Sequence, residues 1–339
     1  MTQPRSELAD IFLASTDWNG ATRVPLAGDA SNRKYDRVHL TEKPPAVLMD
    51  APPEKGEDVR PFVLIARHLT GLGLSAPTIY AEDTSNGFLL IEDLGDDLFA
   101  RVLEMKPDLE AELYRAAIDA LIVAQQATPP AALSAYDADA MATTAMLLAD
   151  WYLPNGTGSE TPASLRKRYA ELVHGMLSRI ADGPGVLVQR DYHAENLLWL
   201  PGRAGAGRVG LLDFQDAMLG HPAYDLASLL KDARRDVAAD VQRDMLAYYI
   251  DRTGAETADF SAAYATCSAQ RNLRILGVFA RLCVRDGKPS YPDLMPRVWG
   301  NLMDDLKHPA LSDLRAFIMA NVPAPDATII KRIKAAANG

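Results

Sequence analysis

The feature that most restricts this chain is a pair of short apolar runs, 186–188 and 209–212, embedded in a half of the sequence otherwise written in helical periodicity. Around them, apolar residues recur at helical spacing over 108–126, 137–151 and 164–180. The same spacing returns near 224–230, 236–250, 257–286 and 292–307, with a terminal pair after Leu311. Breaks such as Thr128-Pro129-Pro130 and Pro154-Asn155-Gly156 separate the segments. The first third differs. It predicts strands at 24–26, 35–40, 46–49, 78–81 and 88–91, with helices at 6–14 and 59–72. Strands, one helix, then two more strands is an α+β order, not a regular βαβ alternation. A boundary after Leu94 divides the chain into a strand-rich lobe, 1–94, and a larger, mainly helical lobe, 95–339.

The net charge of −10 argues against a general affinity for nucleic acid or an anionic membrane. No apolar run approaches the roughly 20 residues that span a bilayer, so a soluble, cytoplasmic protein is expected. Cys267 and Cys283 share one predicted helix, where about 1.5 Å of rise per residue sets them roughly 24 Å apart, beyond disulfide reach.

The polar loop after the first short run reads Gln189-Arg190-Asp191-Tyr192-His193-Ala194-Glu195-Asn196, and Asp213 closes the second run. Phosphoryl transfer needs a carboxylate to orient an attacking hydroxyl and hard oxygen ligands for Mg²⁺. Asp191 fits the first role, and Asn196 with Asp213 fits the second. An Asp with an Asn five residues later is common by chance. The two strand contexts, the second Asp and the upstream strand-rich module give the pattern its weight.

Taken together, Arg190 to Asn196, Leu212-Asp213-Phe214-Gln215-Asp216 and Gly220-His221-Pro222-Ala223-Tyr224-Asp225-Leu226 resemble motifs of the aminoglycoside phosphotransferase/choline kinase family. The resemblance implies a protein-kinase-like bilobal fold, ATP and Mg²⁺ as cofactors, and a structural role for Asp225 beneath the catalytic loop. It also implies a hinge at Leu89 to Gly95, where the backbone of Glu92 and Leu94 would face adenine. Gly28, Asp29, Ala30, Ser31, Asn32 and Arg33 form the candidate phosphate loop, with an ordinary hairpin turn as the alternative. The strand at 46–49 lacks the lysine that kinases place there. Arg33 or Lys34 would supply the charge, with Glu54, Glu57 or Asp58 as its acidic partner.

Further segments, 28–35, 48–54 and 270–288, resemble the bacterial kinases that phosphorylate N-acetylmuramate and N-acetylglucosamine on the C1 hydroxyl during cell-wall recycling. The implied partner is a small-molecule amino sugar. At about 100° per residue, Arg271, Arg274, Arg281 and Arg285 fall within roughly an 80° arc of one helix face. Such a stripe suits the lactyl carboxylate of a muramate, and a solvated face is its alternative. His193, Glu195, Gln215 and Asp216 are further candidates for contact with the sugar. Another alcohol, such as an aminoglycoside, choline or homoserine, is the competing acceptor, and a nucleotide-binding pseudokinase is the competing class.

Overall fold

The computed structural model describes residues 4–26, 32–180 and 185–337. The chain divides into two compact units, one of residues 1–107 and 195–217, the other of 108–194 and 218–339. The first unit runs to Pro107, beyond the boundary expected after Leu94, and also takes in 195–217.

The first unit opens with α1 (Arg5–Ala14), β1 (Thr22–Pro25), β2 (Lys34–His39), β3 (Ala46–Asp50) and α2 (Arg60–Gly71). It continues through β4 (Ile79–Asp83), β5 (Phe88–Glu92) and α3 (Phe99–Met105), and regains β7 (Leu197–Trp199) and β8 (Val209–Leu211) later. The five early strands form one antiparallel sheet in the order β1-β2-β3-β5-β4. The central strands β3 and β5 are buried along four consecutive residues each, while β1 and β4 are partly exposed edges. Phe12, Leu13 and Trp18 from the start of the chain pack with Val38, Leu48, Phe88 and Leu90 of the sheet. Truncating one of these to alanine costs about 2–5 kcal/mol.

The hairpin β7–β8 pairs Leu197 with Leu211 and Trp199 with Val209. Ser75 fixes it to the rest of the unit: its hydroxyl donates to Gly207 O at 2.6 Å, and its carbonyl accepts the N–H of Leu211 at 2.9 Å.

The second unit is helical: α4 (Glu110–Gln126), α5 (Ala138–Ala145), α6 (Leu153–Thr157) and α7 (Ala163–Ser178), then α8 (Ala223–Leu230) and α9 (Ala239–Thr253). The 28-residue α10 (Thr257–Val284) follows, and then α11 (Met295–Asp305), α12 (Ser312–Asn321) and α13 (Ala327–Ala336). Two three-residue strands, β6 (Val186–Val188) and β9 (Met218–Gly220), pair antiparallel among the helices. A π-helical turn, Leu148–Tyr152, lies against α10. Gly277 makes this approach possible, since a Cβ there would stand 2.2 Å from Leu147 C and 2.3 Å from Leu147 O.

Sequence periodicity located the five-strand sheet and most helices to within a few residues. The three-residue β7 and β9 and the short α3 carry no pattern long enough to read, and their positions come from pairing and packing. Among the described residues no helix is long and apolar enough to cross a membrane.

Candidate active site

In the second unit, β6 delivers the chain into the loop that begins at Gln189. Arg190 stands at φ 73°, a left-handed conformation uncommon for a residue that carries a Cβ. Asp225, in the first turn of α8 and fully buried, accepts the N–H of Gln189 at 2.6 Å and that of Arg190 at 2.9 Å. Burial raises the Asp225 carboxyl to about 7, although the two amide hydrogen bonds work in the opposite direction. Tyr192 anchors the loop on its far side by donating from its hydroxyl to Ala117 O of α4 at 2.7 Å.

Asp191 lies between these anchors. Burial acts to raise its carboxyl, but the charges of Arg274, of His193 when protonated, and of Arg271 and Arg190 outweigh this and hold it below the ordinary carboxylate range. It is therefore ionised at neutral pH. Burial pushes His193 down to about 4, so the imidazole is neutral there and the arginines supply the field.

The arginine stripe predicted on α10 divides. Arg271 is 3% exposed, and its Nε and Nη1 make no hydrogen bond among the described residues. Arg274, partly buried, reaches the hydroxyl of Tyr224 at 3.4 Å, and that hydroxyl lies 3.3 Å from the hydroxyl of Tyr136. Arg281 has a buried Nε without a hydrogen bond among the described residues; burial and the neighbouring Arg285 lower its affinity for a proton. Arg285 is exposed and paired with Asp286 at 2.7 Å.

In the first unit, Asn196 and Asp213 flank the β7–β8 hairpin. Leu212 N–H donates to Asn196 O at 3.0 Å, and the Asn196 side chain donates through Nδ2 to Asp213 Oδ2 at 3.4 Å. Asp213 has φ 57°, a region that Asp enters more readily than most residues. The next residue, Phe214, is fully buried and stacked on Phe62 of α2 at 4.9 Å between ring centroids. Gln215 donates from Nε2 to Asp213 Oδ1 at 2.6 Å, which orients the carboxylate; Asp216 and Glu195 are exposed. One carboxylate and one amide oxygen are the donor types of a site that takes Mg²⁺ through few protein ligands, the remaining positions going to water and phosphate oxygens. The pair fits that ion.

Gly28, Asp29, Ala30 and Ser31 of the candidate phosphate loop lie outside the described residues. Arg33, just beyond them, forms an ion pair with Glu57 at 2.8 Å, and Asn32 N–H donates to the same carboxylate at 3.2 Å. Both side chains of the ion pair are largely buried. Lys34 is exposed on β2, opposite Asp50 of β3. Thus, of the two basic residues read from sequence, Arg33 is the one carrying a buried acidic partner.

At the candidate hinge, Glu92 N–H is bonded to Thr78 O at 2.8 Å, and its carboxylate accepts from Arg203 at 2.5 Å and from the Thr78 hydroxyl at 2.9 Å. The Glu92 N–H is thus already taken within the unit. Leu94 is buried.

Residues 22–261 match the model of a family described as "Phosphotransferase enzyme family". The chain is 37% identical to the N-acetylmuramate/N-acetylglucosamine kinase of Caulobacter vibrioides, over 95% of this chain and 98% of that one. It is 36% identical to the protein of that name from Pseudomonas aeruginosa, covering 93% and 94%. Among solved structures, a choline/ethanolamine kinase family protein from Mesorhizobium loti superposes with a TM-score of 0.60 at 15% identity, over 98% of this chain and all of that one.

Proposed function

We propose, for a chain that belongs to the phosphotransferase enzyme family, transfer of the γ-phosphoryl group of ATP to the anomeric hydroxyl of N-acetylmuramate or N-acetylglucosamine. The observation that carries this reading is the half-buried, ionised Asp191 beside Arg271, whose Nε and Nη1 make no hydrogen bond among the described residues, in a chain similar along nearly its full length to kinases named for those two sugars.

Asp191 accepts a hydrogen bond from the sugar hydroxyl and takes its proton as the oxygen bonds to phosphorus and the bond to the β-phosphate oxygen breaks. A loose phosphoryl transition state needs little base strength, so a carboxylate of low basicity suffices when it is held in line. Asp225 holds it so, through the backbone of Gln189 and Arg190. Asn196 and Asp213 would hold Mg²⁺, which when bound neutralises charge on the β- and γ-phosphates. Gln215 fixes the rotamer of Asp213 for that purpose. Arg33, braced by Glu57, takes the place of the strand lysine toward the phosphates, with the 28–33 segment as the phosphate loop and Glu92 and Leu94 as backbone partners of adenine. Residues 1–94 would accordingly serve the nucleotide and the C-terminal part the sugar. Arg271, Arg274 and Arg281 serve the acceptor, and an arginine-rich surface suits a sugar with oxygen acceptors over a polycationic antibiotic. A cytoplasmic location fits a reaction that consumes ATP.

Incubation with Mg²⁺, ATP and each sugar, followed by ³¹P and ¹³C NMR, tests the assignment. A sugar 1-phosphate is expected from both. Phosphate on another hydroxyl, or on neither sugar, would reject it.

A further inference from the structure

His193 is 3% exposed, and its Nε2 lies 3.1 Å from Arg234 Nη1. A guanidinium can only donate. Nε2 must therefore accept, and the single proton of the neutral ring sits on Nδ1. That N–H is buried and makes no hydrogen bond among the described residues. Arg271 presents Nε and Nη1 in the same condition, and its charge acts on both His193 and Asp191. A buried donor left unpaired is costly, because it has given up water without gaining an acceptor. Several such donors together are what a binding site shows when its ligand supplies the acceptors.

We infer that Arg234 is a positioning residue that locks His193 in its Nδ1–H tautomer. Nδ1–H of His193 and Nε and Nη1 of Arg271 then form a subsite for a carbonyl or carboxylate oxygen of the acceptor sugar. The inference rests on the sugar-kinase reading above. Two groups present that chemistry: the acetamido carbonyl, shared by both sugars, and the lactyl carboxylate, carried by N-acetylmuramate alone.

The groups facing His193 are consistent with a fixed neutral donor. Burial lowers its proton affinity most; Asp232 pulls it up, Arg234 and Arg271 push it down, and Asp191 pulls it up. Asp232 accepts the N–H of Arg234 through Oδ1 at 2.8 Å, and its buried Oδ2 makes no hydrogen bond among the described residues. Arg234 is itself placed by Arg297, which donates to Arg234 O at 3.0 Å and pairs with Asp236 at 2.6 Å.

The full chain labelled with ¹⁵N-histidine tests this by long-range ¹H–¹⁵N correlation. His193 should show a protonated Nδ1 and a bare Nε2 from pH 6 to 8, and N-acetylglucosamine or N-acetylmuramate without nucleotide should move Nδ1. Arg234→Gln should give mixed tautomers, raise the His193 pKa and increase KM for the sugar about tenfold, with a smaller change in kcat. His193→Gln, which keeps an N–H donor, should retain more activity than His193→Ala. Arg271→Lys assigns the occupant: a loss confined to the muramate marks the lactyl carboxylate, and an equal loss on both sugars marks the acetamido carbonyl. A wild-type Nε2–H tautomer overturns the inference. So does an Nδ1 signal unmoved by saturating sugar in a sample that then phosphorylates that sugar when ATP is added; the kinase reading survives that result. Failure to phosphorylate either sugar overturns the kinase reading and, with it, the sugar as occupant.

Discussion

Asp225 accepts the backbone N–H of Arg190 at 2.9 Å, and Arg190 is held there at φ 73°. A left-handed backbone at a non-glycine residue costs about 1–2 kcal/mol. The buried carboxylate offsets this by bonding Gln189 and Arg190 together, so the chain leaves Arg190 toward Asp191 in a fixed direction. Asp225→Ala should strand two buried amides and lower stability by about 2–5 kcal/mol. Asp225→Asn keeps one acceptor and should lose less. Urea unfolding and steady-state kinetics should rank wild type above Asn above Ala in both stability and turnover. A folded alanine variant with wild-type kcat would show that the loop needs no such support.

The charges around Asp191 predict a pH profile. With the carboxyl held below the ordinary range and His193 down at about 4, neither group changes charge between pH 5.5 and 8. No acid limb from either should appear in kcat across that window. Arg274 is the leading positive charge on Asp191. Arg274→Met removes a cation that favours the ionised form, so the Asp191 pKa rises and an acid limb moves upward. Because Asp225 is raised to about 7, the discriminating result is a limb near 6.5 that persists in Asp225→Asn, which would contradict this picture. Asp191→Asn should lower kcat by roughly 10²–10⁴ while sparing ATP binding, measured by calorimetry.

The ion pair between Arg33 and Glu57 makes a separable prediction about the nucleotide. Arg33→Met should raise KM for ATP by about tenfold or more and leave KM for the sugar nearly unchanged. Glu57→Gln removes the partner that orients the guanidinium and should give a smaller effect of the same kind. In the double variant the losses should fall short of additive, as expected for residues in contact. Additive losses, or a rise in sugar KM alone, would remove Arg33 from the phosphate site.

How much of this could be read from the sequence depends on the length scale of the interaction. The strand pattern of β1 to β5 and the helical spacing of α10 are local, and both were legible. The angular arithmetic also placed four arginines on one face. What it could not give was their fates: Arg285 turned to its neighbour Asp286, while Arg271 stayed buried with its Nε and Nη1 making no hydrogen bond among the described residues. The pairing of Arg33 with Glu57 spans 24 residues, and that of His193 with Arg234 spans 41. Neither leaves any periodic trace, so each is known only once the backbone is folded. Gln215 is a similar case. Its place after Asp213 suggested reach toward the sugar, and its amide is bonded to Asp213.

Gly277 lies within a helix, where glycine costs about 1 kcal/mol relative to alanine. Replacing it should nonetheless destabilise, because the added Cβ would overlap backbone atoms of Leu147 at 2.2 and 2.3 Å. Gly277→Ala is expected to lose about 1–3 kcal/mol or more through overpacking, read as a lower urea midpoint. An unchanged or higher midpoint would mean that the π-helical turn shifts away without penalty.

Asp305 provides a prediction about stability against pH. It is buried at the end of α11, accepts from Ser268 at 2.6 Å and Asn272 at 2.9 Å, and has Lys231 Nζ at 4.0 Å. Burial raises its carboxyl to about 7, against the charge of Lys231 and the two hydrogen bonds. Between the unfolded value near 4 and about 7, the folded chain holds a proton that the unfolded chain has released. Stability from this group is thus complete below pH 4 and lost as pH rises through 7, by up to about 1.4 kcal/mol per pH unit. Asp225, also raised to about 7, acts in the same direction. His193 and His221, both lowered to about 4 by burial, act oppositely, adding stability as pH rises from 4 to 6.5. The raw pH curve therefore mixes signs, and the informative quantity is a difference. Asp305→Asn cannot titrate, so the stability of wild type minus that of Asp305→Asn should fall steadily between pH 4.5 and 7.5, as measured by urea unfolding. A flat difference would mean that Lys231 keeps Asp305 ionised throughout.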